Sequence, residues 1–98
     1  MTIEIKRNSE QITIEIAGRL DTTTAPTLDK TIGEDVAENN NLVLDLKGVE
    51  YISSAGLRVL LGAQKKMQKK GSMKVINVRE EVMEVFEMTG FADILTIE

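Results

Sequence analysis

The period of the hydrophobic pattern switches repeatedly along this chain, and that switching restricts the folds open to it. In "TIEIK", Thr2 to Lys6, the residues Ile3 and Ile5 fall on one face, and Gln11 to Ala17 repeats the pattern with Ile12, Ile14 and Ile16. Alternation at period two predicts two strands, and the short polar "RNSE" between them fits an antiparallel hairpin. From Gly18 onward the period shifts. Pro26 is tolerated only in a first helical turn, so a helix is expected from near Thr24. Ala25, Leu28, Ile32 and Val36 keep helical spacing to about Glu38, where "ENNN" stops it. "NLVLDLK", Asn41 to Lys47, is nearly continuous in apolar character, which suits a central strand covered on both faces, with Asp45 its one charged interior residue.

Ala55 to Lys70 has Leu57, Leu60, Leu61 and Met67 at helical spacing and closes with lysines followed by Gly71, a complete helix-end signal. Ser72 to Val78 predicts another strand. Glu80 to Thr89 predicts a short helix with Val82, Val85 and Phe86 inward and Gly90 as its stop, and Ile94 to Ile97 a terminal strand. Met67, Met73, Met83 and Met88 read as core or near-core filling. Helices alternating with strands after an opening hairpin imply an α/β layer structure with parallel neighbours and right-handed crossovers. At 98 residues the expectation is one domain over 1–98, able to bury roughly 65% of its unfolded surface.

Composition narrows function. The chain has no histidine and no cysteine, which removes the usual general base, the Ser-His-Asp and Cys-His arrangements, disulfides and most zinc sites. No acid/base pair and no GxxxxGK[ST] loop is present, so no catalytic residue, no metal and no cofactor is expected. A net charge of −4 opposes attraction to phosphate backbones and anionic lipid, so nucleic acid is not an expected partner. "MTIEIKRNSE" has neither a basic start nor a long apolar run, and no segment approaches a membrane span; the expectation is a cytoplasmic protein without membrane insertion, monomeric when free.

In open α/β sheets, sites gather where strands lead into helices at their carboxyl ends. Two such loops stand out, Gly18 to Ala25 and Tyr51 to Gly56. Ser53 and Ser54 suit a helix cap, although the reciprocal capping box is missing because Gly56 and Leu57 lie three residues on. They also suit phosphorylation, since a helix N-terminus offers free N–H donors and a positive dipole end to a dianion. Asp21 with Thr22 to Thr24 suits turn and cap chemistry, or a charged anchor for a partner's Arg or Lys. Lys65, Lys66, Lys69 and Lys70 suit a solvated helix C-terminus.

The stretches "GRLDTTTAPTL", "LVLDLKGVEYISSAGLRVLLGAQKKMQKKG" and "VFEMTGFADIL", in that order, resemble a STAS domain of the bacterial anti-sigma factor antagonist family. The resemblance implies a mixed sheet of four to five strands with three or more helices packed against it, and a phosphorylatable serine at the start of the second helix. It implies an antagonist that, unphosphorylated, captures an anti-sigma factor serine kinase and so releases sigma factor. Phosphorylation ends the capture and a PPM-type phosphatase restores it. The family's Asp-Ser-(Ser/Thr/Ala)-Gly-Leu pattern falls on Ser53, Ser54, Ala55, Gly56 and Leu57, giving Ser54 as phosphoacceptor. Ser53 replaces the usual Asp and is a competing acceptor. Gly-x-Leu-Asp falls on Gly18, Leu20 and Asp21, with Arg19 at the variable position, and Thr22, Thr23, Ser53, Gly56 and Arg58 complete the expected contact. Two alternatives are a STAS scaffold subunit of a transport or sensory assembly, with Ser54 only a cap, and a nucleotide or anion binder using the helix N-terminus.

Overall fold

The computed structural model describes residues 1–35 and 41–98. In chain order the elements are β1 (Thr2–Arg7), β2 (Gln11–Leu20), α1 (Ala25–Asp35), β3 (Asn41–Ile52), α2 (Ser54–Lys70), β4 (Ser72–Ile76), α3 (Glu80–Thr89) and α4 (Phe91–Ile94). The strands make one mixed sheet in the order β1-β2-β3-β4, with β1 antiparallel to β2 and the other neighbours parallel. The expected mixed α/β fold is therefore realised, with four strands and four helices among the described residues.

The opening hairpin closes through Asn8, whose Oδ1 accepts from the N–H groups of Glu10 and Gln11 at 2.9 and 2.8 Å. Its register sets Ile3 beside Ile16 and Ile5 beside Ile14, so every isoleucine of the alternating pattern points to one face. On that face Ile12, Ile14, Ile16, Leu42, Leu44, Leu46, Met73 and Val75 form a single core with Leu28, Ile32, Leu57, Leu60, Met67, Val82 and Phe86 of the helices. Phe86 is fully buried, and Phe86→Ala should cost about 3–5 kcal/mol in urea denaturation, the range for emptying an aromatic site in a core.

The remaining differences from the sequence reading have local causes. The core lies on one side of the sheet, so β3 is not sandwiched between helices. Val43 is buried on the other face between its neighbours Thr13 and Lys74, outside the main core. β3 continues past Lys47 to Ile52 because its backbone keeps pairing with β2 through Ala17, Gly18, Arg19 and Leu20, a tertiary reward that side-chain pattern does not show. β4 ends at Ile76 because Asn77 takes a left-handed conformation (φ 56°). No terminal strand forms over Ile94 to Ile97: Phe91–Ile94 makes one helical turn, and only Ile97 bridges in parallel to Val75. Met67 and Met73 are core residues and Met83 is half-buried, but Met88 is 87% exposed. The expected continuation of α1 through Val36 to Glu38 lies outside the described residues.

Candidate functional site

Parallel pairing of β2 with β3 brings the two expected loops together. Arg19 lies beside Tyr51 and Leu20 beside Ile52 in the register, so the residues that follow, Asp21 and Ser53, emerge at the same end of the sheet. The Ser53 N–H donates to the Leu20 carbonyl at 2.9 Å and ties the second loop to the first. Gly18 helps β2 reach this point: it has a φ of 99°, which favours glycine, and a register shift lies between it and Arg19.

α2 then starts against β2 at very close range. A methyl group at Gly56 would lie 2.8 Å from Leu20 Cγ, 2.9 Å from Ile52 Cγ1 and 3.0 Å from the Leu20 carbonyl oxygen. Gly56 is thus buried beneath the site, and it permits the approach rather than presenting a contact surface.

The two serines have different situations. Ser53 is the N-cap, with extended backbone, and its hydroxyl accepts from the Gly56 N–H at 3.4 Å while its carbonyl accepts from Leu57 at 3.0 Å. Ser54 is the first helical residue; it is exposed, and its hydroxyl makes no hydrogen bond among the described residues. The N–H groups of Ser54 and Ala55 are also without partners there, as the first donors of a helix are. Cap chemistry therefore belongs to Ser53, not Ser54. Because the cap bond is long, Ser53→Ala should cost only about 0.5–1 kcal/mol in chemical denaturation, the lower part of the N-cap range.

Asp21 is held as a carboxylate by its own loop. Its Oδ1 accepts from the Thr23 hydroxyl at 2.8 Å, the Thr23 N–H at 3.0 Å and the Thr24 N–H at 3.1 Å. The Thr24 hydroxyl accepts from the Asp21 N–H at 2.9 Å and has the Arg19 carbonyl at 2.8 Å and the Asp21 carboxylate at 3.2 Å. The Thr23 hydroxyl does most to lower the Asp21 pKa to about 2, desolvation opposes it, and the Thr24 N–H, Thr23 N–H and Thr24 hydroxyl add to it. Since the folded carboxyl is more acidic than its ordinary 3.8, Asp21 favours the folded state fully above about pH 4, and this is lost as pH falls toward 2. Melting temperatures of the native protein and Asp21→Asn should differ most above pH 4 and converge near pH 2.

The rest of the cluster is open to solvent. Thr22, Thr23 and Arg58 are exposed. Arg19, which sequence reasoning left as a variable position, stacks its guanidinium 4.2 Å from the centre of the Tyr51 ring and lies 3.7 Å from Asp21 Oδ2. Only the parallel register puts Arg19 and Tyr51 together, so this pair was not accessible from the sequence. A surface hollow of about 660 Å³ lies on the open face of the sheet and is lined by none of these residues. Among the described residues no group of side chains could hold a metal ion, and no helix is long and apolar enough to cross a membrane.

The fold has known counterparts. The family model described as "STAS domain" matches residues 2–98, and the chain belongs to that family. It is 34% identical to the anti-sigma-B factor antagonist of Bacillus subtilis, covering 99% of this chain and 90% of that one. It is 35% identical to the anti-sigma-B factor antagonist of Listeria monocytogenes, covering 100% of this chain and 89% of the other. Among solved structures, an anti-sigma factor antagonist from Mycobacterium paratuberculosis superposes with a TM-score of 0.88 at 27% identity, over 98% of this chain and 83% of that one.

Proposed function

We propose that this protein is an anti-sigma factor antagonist whose partner capture is switched at Ser54. Unphosphorylated, it binds an anti-sigma factor serine kinase and so frees sigma factor. The observation that carries this reading is the pairing of an exposed Ser54 hydroxyl with the N–H groups of Ser54 and Ala55, all without partners among the described residues, one loop away from an Asp21 carboxyl held below its ordinary pKa. Its relatives' names support the partner class.

In the switch, the Ser54 oxygen attacks the γ-phosphorus of the kinase's ATP, a new O–P bond forms, the bond to ADP breaks and the hydroxyl proton passes to the kinase. The product dianion meets free N–H groups and the positive end of the α2 dipole, so the helix tolerates it. A docked partner does not: about −1.5 to −2 charges are added where a neutral hydroxyl stood. Asp21 serves as the fixed negative anchor for a basic side chain of the partner, with Thr22, Thr23, Ser53 and Arg58 around it. A PPM-type phosphatase hydrolyses the phosphoserine and restores capture. The chain itself is a binding protein and substrate, acting in the cytoplasm without catalysis of its own.

Peptide mass spectrometry after incubation with ATP and serine kinases of the same genome tests the assignment. One phosphate on Ser54 is the expected result. Phosphate confined to Ser53 would move the switch to the cap residue, and no phosphate with any kinase would contradict the reading.

A further inference from the structure

α2 is strongly one-sided in charge. Its sequence contains Arg58, Lys65, Lys66, Lys69 and Lys70 and no acidic residue, within a chain whose net charge is −4. On its surface Ser54, Arg58, Gly62, Lys65 and Lys69 are all exposed, at spacings of four, four, three and four that place them along one face. Lysines near the helix C-terminus complement the dipole. Arg58 does not, since it stands near the positive end, where the first turn has no acidic residue to balance it.

Gly62 in the middle of this face has no internal explanation. Gly56 on the same helix is required by Leu20 and Ile52, whereas a methyl group at Gly62 would meet nothing within 4 Å. Glycine inside a helix is unfavourable relative to alanine, so an exposed glycine with free space around it carries a cost that nothing among the described residues offsets. Gly33 shares that empty surrounding but lies on α1, whose sequence carries Asp29, Glu34 and Asp35 rather than a basic stripe. A mid-helix glycine of this kind is suited to close approach by another backbone.

We infer that the exposed face of α2 is a second docking line for the partner that reads Ser54: an acidic helical segment lies with its backbone against Gly62 and its carboxylates over Arg58, Lys65 and Lys69. The inference rests on the partner reading above and extends it, because the line starts at Ser54 and continues from it for about four turns. Ser54 and its phosphate then stand at one end of the contact, and the basic stripe supplies charge complementarity along the remainder.

The test measures binding of the anti-sigma factor kinase from the same genome to three forms of the full chain. Gly62→Gln replaces the glycine by a good helix former, so the free protein should melt several degrees higher, while capture weakens by about tenfold or more. Lys65→Glu with Lys69→Glu should weaken capture and flatten its dependence on salt. A native complex whose affinity is indifferent to both changes, with Gly62→Gln more stable as expected, would overturn this inference and leave the Ser54 switch intact. Absence of any complex with the native protein would overturn both.

Discussion

Ser54→Asp is expected to weaken capture of the anti-sigma factor kinase by about a hundredfold or more while leaving the fold intact or slightly more stable. The two halves of that expectation come from the same atoms. Ser54 opens α2 with its N–H unpartnered, and α2 has no acidic residue in its first turn, so a carboxylate there interacts favourably with the dipole, by about 0.3–1 kcal/mol. In the complex the same carboxylate is desolvated without a partner, and leaving a charge so placed costs about 2–5 kcal/mol. Ser54→Ala should capture the kinase as the native protein does and resist release by ATP, since its hydroxyl makes no bond within the described residues. Calorimetric titration of both variants, with thermal melting alongside, reads binding and stability separately. A Ser54→Asp protein that binds as tightly as the native one would count heavily against the switch.

Gly56→Val should have the largest effect on the architecture of the site. Even the first carbon of the new side chain would lie 3.0 Å or closer to Leu20 and Ile52, including the Leu20 carbonyl that holds the Ser53 N–H. Neither neighbour is a flexible chain end: Leu20 is fully buried and Ile52 nearly so. The start of α2 must therefore move away from β2, at a cost of about 1–3 kcal/mol or more for overpacking, seen as a fall in Tm of about 5–20 °C. The same movement separates Ser54 from Asp21, so capture should weaken even at temperatures where the variant is folded. Equal stability and equal capture would mean that the two loops are not coupled through this contact.

Much of this architecture is visible in the residues, and what is hidden has a consistent origin. Period-two alternation identifies β1 and β2 because one face of each packs toward the core, buried in β2 and half-buried in β1, and the other does not. Helix-end signals locate α2 to within one residue, since Ser53 caps it and Gly71 follows it. The far half of β3 is not visible, because "GVEYI" contains Gly48 and Glu50 and is held as a strand by β2 rather than by its own pattern. Pairing between loops is likewise hidden: Asp21 is recognisable as a turn residue, but its place beside Ser53 follows from the parallel register. Which serine caps depends on where β3 stops, so "SS" in the sequence leaves both open. Met88 shows the limit of reading apolar residues as core, as its helical spacing continues α3 while its side chain faces solvent.

The central claim is that a phosphate on Ser54 alone decides capture. Its most direct measurement is the affinity of the anti-sigma factor kinase for two preparations of the native chain, one unmodified and one carrying phosphoserine at position 54 throughout. The account predicts a tight complex with the first, no complex with the second at micromolar concentration, and recovery of the complex when a PPM-type phosphatase removes the phosphate. Equal affinity for both preparations would contradict it.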